Sequence, residues 1–99
     1  MKRIFLSIFV VLILFSGTDS RAGGIYLSPG SGHWIQSKAD HGAVIVLEDN
    51  SVWLVDALDR IDTALWLPMT EITVVELGFG YLLVNTDDGE EAHARLLSQ

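Results

Sequence analysis

Residues 43–56 read AVIVLEDNSVWLVD, two apolar runs facing each other across Asp49 and Asn50. Few patterns restrict a chain more. Short runs rich in β-branched residues, separated by two residues that tolerate positive φ, specify a β-hairpin. With Asp49 and Asn50 as a two-residue turn, Leu47 pairs with Val52, Val46 with Trp53, Ile45 with Leu54 and Val44 with Val55. Directly opposed residues share a face, so Val44, Val46, Trp53 and Val55 are expected inside, with Glu48 and Ser51 finishing that face near water. The other face is apolar as well, which predicts a hairpin covered on both sides or one that offers a face to a partner.

What precedes this hairpin has a different logic. Lys2 and Arg3 lead into an apolar stretch over residues 4–15, relieved only by Ser7, and then into SGTDSRA. That is the layout of a secretory signal peptide, and the apolar stretch falls short of the roughly 20 residues that span a bilayer. Small residues at Ser20 and Ala22 place cleavage after Ala22. The expected divisions are residues 1–22 as signal peptide, 23–42 as a glycine- and serine-rich segment with one or two short strands, and 43–99 as the core. Export to the periplasm or the exterior is expected, with no permanent membrane anchor. The chain contains no cysteine, so neither a lipid anchor on a thiol nor a disulfide can contribute. A domain this small must then depend on a well-packed core, a bound ion or self-association.

Charge narrows the choice of partner. From residue 23 onward there are three lysines or arginines against twelve acids, a net charge of −9. Such a surface repels phosphate backbones and anionic headgroups, so nucleic acid is not an expected partner.

The rest of the chain reads as short strands with one interruption. Residues 33–37 suit a strand with Trp34 and Gln36 on one face and Ile35 on the other, ahead of a turn at Asp40, His41 and Gly42. Residues 25–27 suit an edge strand or an arm. Over residues 56–70 Asp56 can cap a short helical turn in which Leu58, Ile61 and Leu65 recur at spacings of three and four, and Pro68 ends it. Trp66 and Leu67 are placed to plug a barrel end. Residues 71–77 form a strand with Ile72 and Val74 on one face. Residues 81–85 and 91–97 form a second hairpin around Asp88 and Gly89, with Tyr81, Leu83, Ala92, Ala94 and Leu96 on its apolar face. The expected fold is all-β: a small SH3-like barrel of five or six short antiparallel strands with one short helical turn, an OB-like barrel being the alternative.

The series LEDNSVWLVDALDR, ALWLP and YLLVNTDDGEEAHARLL resembles small exported bacterial proteins with a paired-hairpin core, a likeness covering residues 44–97. It implies bacterial export and a β fold, and no activity. Asn50 stands where such hairpins often carry glycine, and Leu54 where an outward polar residue is expected.

Catalytic chemistry has little to work with. No hydroxyl, histidine and carboxylate recur at a recognisable spacing, so a non-enzymatic module without a cofactor is expected. Its docking surface is expected near Trp34, Leu47, Val52, Leu54 and Phe79, taking a protein, a peptide or a second copy. The rival is a cation-binding envelope protein, with calcium held by Asp56, Asp59 and Asp62 or by Asp87 and Asp88. His33, His41 and His93 are too scattered to specify zinc.

Overall fold

The structure, a computed structural model, describes residues 24–99; the expected signal peptide lies outside them. Six antiparallel strands follow in order: β1 (Gly30–Ala39), β2 (Val44–Leu47), β3 (Val52–Val55), β4 (Glu71–Glu76), β5 (Tyr81–Asn85) and β6 (Glu91–Ser98). They close into a barrel with neighbours in the order β1-β2-β3-β6-β5-β4. Closure is made by β1, which pairs with β2 along one edge and with β4 along the other. The barrel therefore begins at Gly30, inside the segment expected to precede the core. A ten-residue strand can serve two neighbours because bulges between Gly30 and His33, and between Ile35 and Ser37, bend it. Each of the six described strands pairs with a neighbour on both sides, so the barrel itself has no open edge.

The first hairpin forms where expected but in another register. Val44 pairs with Leu54, Ile45 with Trp53 and Val46 with Val52. The loop has three residues, Glu48, Asp49 and Asn50, with Asn50 N–H donating to Leu47 O and Leu47 N–H to Ser51 O. Only Asn50 takes positive φ, 69°, the arrangement of a type I turn followed by a left-handed residue. One extra loop residue moves β2 by one position and exchanges its faces. Ile45 and Leu47 are therefore fully buried, whereas Val44 and Val46 are half-buried on the outer side; Trp53 and Val55 point inward as expected. Ser51 is buried too, not at the wet rim.

The second hairpin has a four-residue loop, residues 86–89, with Gly89 at φ 84°. Its register, Tyr81 with Ala94 and Leu83 with Ala92, differs from the expected one by two positions. An even shift preserves the faces. Tyr81, Leu83, Ala92, Ala94 and Leu96 are accordingly buried, while Glu91, His93 and Arg95 are exposed.

Between β3 and β4 the chain makes a 3₁₀ turn (Ala57–Asp59) and then one turn of helix, α1 (Arg60–Thr63). Asp56 caps the start, accepting a bond from Leu58 N–H. The orientation of this segment is decided at its far end. Thr63 donates its hydroxyl to Gly42 O at 2.8 Å, and the Lys38 ammonium donates to Thr63 O and Ala64 O at 3.1 and 2.8 Å. Gly42, at φ 90°, lies so close that a β-carbon there would overlap the Ala64 backbone, 2.7 Å from its Cα. Thr63 and Trp66 therefore turn inward, and Leu58, Ile61 and Leu65 turn to solvent.

Because β6 runs antiparallel to β3, Ser98 lies beside the 48–50 loop and Glu90 at the opposite end of the barrel. Trp66 plugs the Glu90 end as expected, donating its indole N–H to Glu90 Oε1 at 2.7 Å. Leu67 does not join it and stays exposed.

Candidate functional site

At the other end, the chain ahead of β1 supplies the plug. Tyr26 is buried edge-on against Trp53, with ring centroids 4.9 Å apart, and against Tyr81, 6.3 Å away. Its backbone N–H donates to the Tyr81 hydroxyl at 2.7 Å, and its own hydroxyl donates to Asp49 Oδ2. Asp49 also accepts from Ser51 N–H at 3.0 Å and from the Ser51 hydroxyl at 2.6 Å. Ser51 Oγ in turn accepts from the Trp53 indole N–H at 2.9 Å. Burial works against the charge on Asp49, but these donors outweigh it and hold the carboxyl below its ordinary range. Burial pushes the Tyr26 phenol well up, and the bond to Asp49 adds to that.

His33 sits beside this group with both ring nitrogens engaged. Nε2 lies 2.7 Å from Ser28 O and Nδ1 lies 2.9 Å from Glu48 Oε2. A carbonyl oxygen can only accept, so Nε2 carries a proton, and a carboxylate beside Nδ1 favours a second one there. Burial opposes the imidazolium, yet the Ser28 carbonyl and the Glu48 carboxylate prevail and the pKa is raised. His33, Glu48 and Asp49 can bring one ligand atom each within 4.8 Å of one another, the spacing a divalent cation needs. In the geometry seen, these atoms are satisfied by Ser28, Ser51 and Tyr26 and by each other. The cluster works as a clasp between the leading segment and the barrel. Ser51, fully buried, is held within it and not presented as a nucleophile.

The residues expected to form a docking face are dispersed. Leu47 is fully buried and cannot belong to one, a direct result of the one-residue register change. Val52 and Leu54 are half-buried on the outer face. Phe79, exposed in the β4–β5 turn, shares a groove with Leu54. Trp34 lies elsewhere, half-exposed beside Met69 and Glu71.

Of the acids expected to hold calcium, Asp56, Asp59 and Asp88 accept hydrogen bonds, whereas among the described residues the Asp62 and Asp87 carboxylates accept none. Asp56 caps the 3₁₀ turn, and Asp59 accepts from His93 N–H and faces His93 Nδ1 at 3.2 Å. Asp88 accepts from Glu90 N–H within its own turn. Asp62 lies on α1. Among the described residues Asp56, Asp59 and Asp62 do not bring their carboxylates into one ligand cluster of three; His33, Glu48 and Asp49 do.

Among the described residues, exposed large apolar side chains are most concentrated along the β3–β4 connection. Leu58, Ile61, Leu65, Leu67 and Met69 are between 68% and 88% exposed, five large side chains within twelve residues. Scattered exposed leucines are ordinary, but a concentrated ridge is not. Met69 adds a second irregularity, since it takes φ 73° at the third position of a turn closed by Thr70 N–H to Leu67 O. That position usually carries glycine. In sequence this ridge was visible as the three-and-four spacing of Leu58, Ile61 and Leu65, which ordinarily marks a core-facing stripe. The clasp gave less signal, because Tyr26 and His33 meet Asp49 only through closure of the barrel.

Compared with protein-family models, with curated proteins and with solved structures, the chain finds no match.

Proposed function

We propose that this protein is a non-enzymatic protein- or peptide-binding module of the bacterial envelope, exported and built on an SH3-like barrel, whose docking face is the β3–β4 connection. One observation carries the reading: the ridge of Leu58, Ile61, Leu65, Leu67 and Met69 faces solvent although Thr63, Trp66, Gly42 and Lys38 anchor the same segment firmly to the barrel. Exposed apolar side chains on a held segment gain by covering, whereas on a loose loop they could fold away.

A photo-reactive amino acid in place of Ile61, introduced in cells that make the protein, tests this. A discrete adduct at position 61, absent from the exposed control position Gln36, supports it. No adduct, or equal adducts at both, refutes it. Sedimentation then separates a second copy of the chain from another protein. Calcium binding is the rival reading, and a rise in melting temperature with millimolar calcium favours it.

A further inference from the structure

Beside the ridge lies a groove of about 320 Å³ whose lining includes Leu65, Trp66, Leu67, Asp87, Asp88 and Glu90. No lysine, arginine or histidine lines it. We infer that this groove takes a peptide segment carrying lysine or arginine next to a bulky apolar side chain. The inference rests on the docking reading above and adds the chemistry of the partner.

The geometry supplies both halves of the complementarity. Leu65 and Leu67 are largely exposed, while Trp66 is buried and fixed through its bond to Glu90, so the apolar side has a rigid floor. On the acidic side the loop backbone is fixed. Asn85 accepts from Asp87 N–H at 2.9 Å and Asp88 from Glu90 N–H at 2.9 Å, which locks the loop from within. Among the described residues, the Asp87 carboxylate and the second oxygens of Asp88 and Glu90 accept no hydrogen bond. Three exposed carboxylates at this end of the β5–β6 hairpin, in a groove lined by no basic side chain, raise a negative potential that a guanidinium or ammonium relieves. An anionic segment would be repelled by those exposed carboxylates, a purely aliphatic one would cover them without pairing, and a charged but polar one would leave Leu65 and Leu67 wet. The net negative charge of the chain steers the same class of partner toward the protein.

Fluorescence anisotropy of three labelled peptides on the purified full chain tests this: Gly-Lys-Leu-Lys-Trp-Lys-Gly, the same with glutamate for lysine, and the same with serine for leucine and tryptophan. The first is expected to bind about tenfold more tightly than either control, and to weaken as salt is raised. Asp87→Asn, whose carboxylate supports no bond in the fold, is expected to weaken it by up to about fivefold, the range of one exposed charge pair. Leu67→Ser is expected to weaken it further. Equal binding of the glutamate peptide, no response to Asp87→Asn, or no binding of any peptide overturns the inference. Cross-linking at position 61, outside the groove lining, reports on the docking reading separately.

Discussion

The Tyr26 hydroxyl donates to the Asp49 carboxylate, joining the chain ahead of β1 to the turn of the first hairpin across 23 residues. The bond is charge-assisted and part-buried, and the same ring packs on Trp53 and Tyr81. Tyr26→Phe keeps the ring and removes the donor, leaving Asp49 with Ser51 alone. The expected cost is about 1–3 kcal/mol. Tyr26→Ala also opens the barrel end and is expected to cost about 3–5 kcal/mol. Urea unfolding of the two variants measures both parts; a Tyr26→Phe variant as stable as the wild type would show that the hydroxyl adds nothing, and equal costs for the two variants that the ring adds nothing.

The clasp sets two edges to the pH range of stability. His33 has its pKa raised above the ordinary 6.5, so its contribution is fully present below that value and is lost as pH rises through the folded-state pKa. Asp49 has its pKa lowered, so its contribution is present above the ordinary carboxylate range and is lost as pH falls through the folded-state value. The groups facing His33 are Glu48, Asp49 and Tyr26, and the first two favour its protonated form. His33→Gln is expected to lower the melting temperature at pH 5 to 6 and to converge with the wild type in mildly alkaline buffer. A gap that widens with pH would reverse the assignment.

Gly42 and Gly89 both take positive φ but differ in surroundings. At Gly89 nothing lies within 4 Å of an added β-carbon, so Gly89→Ala carries only the left-handed backbone cost of about 1–2 kcal/mol. At Gly42 the added carbon meets the Ala64 backbone, which Thr63 and Lys38 hold in place. Gly42→Ala is expected to cost clearly more, and to loosen the β3–β4 connection before the barrel itself. Hydrogen exchange at Ala64 and Trp66, compared with that at Leu83, reads this directly. Similar stabilities for the two variants would mean that the segment simply shifts aside.

How much of this was legible in the sequence differed from element to element. Strand positions followed from β-branched runs and turn residues, and the second hairpin kept its faces because its register moved by two. The first hairpin did not, because Asp49 and Asn50 suit either a two-residue loop or the end of a three-residue one. Local chemistry leaves that choice open. It is decided by what the loop must reach, since the observed register buries Leu47 and places Asp49 against Tyr26. The same limit applies to Leu58, Ile61 and Leu65, whose spacing marks a stripe without saying which way it faces. Gly42 and Thr63, 21 residues apart, settle that.

Met69 joins the strained turn to the exposed ridge. Its φ of 73° suits glycine, and its side chain, largely in water, recovers little by burial within the chain. Met69→Gly removes a left-handed cost of about 1–2 kcal/mol and restores backbone freedom to the unfolded chain, worth about 0.5–1 kcal/mol in the other direction. The net expectation is a protein as stable as the wild type or slightly more so. If the methionine is held there to be touched, the same substitution reduces the cross-linked adduct at position 61 without lowering the melting temperature. A variant that loses stability would place Met69 in the fold's own packing, and one that keeps the full adduct would remove it from the docking face.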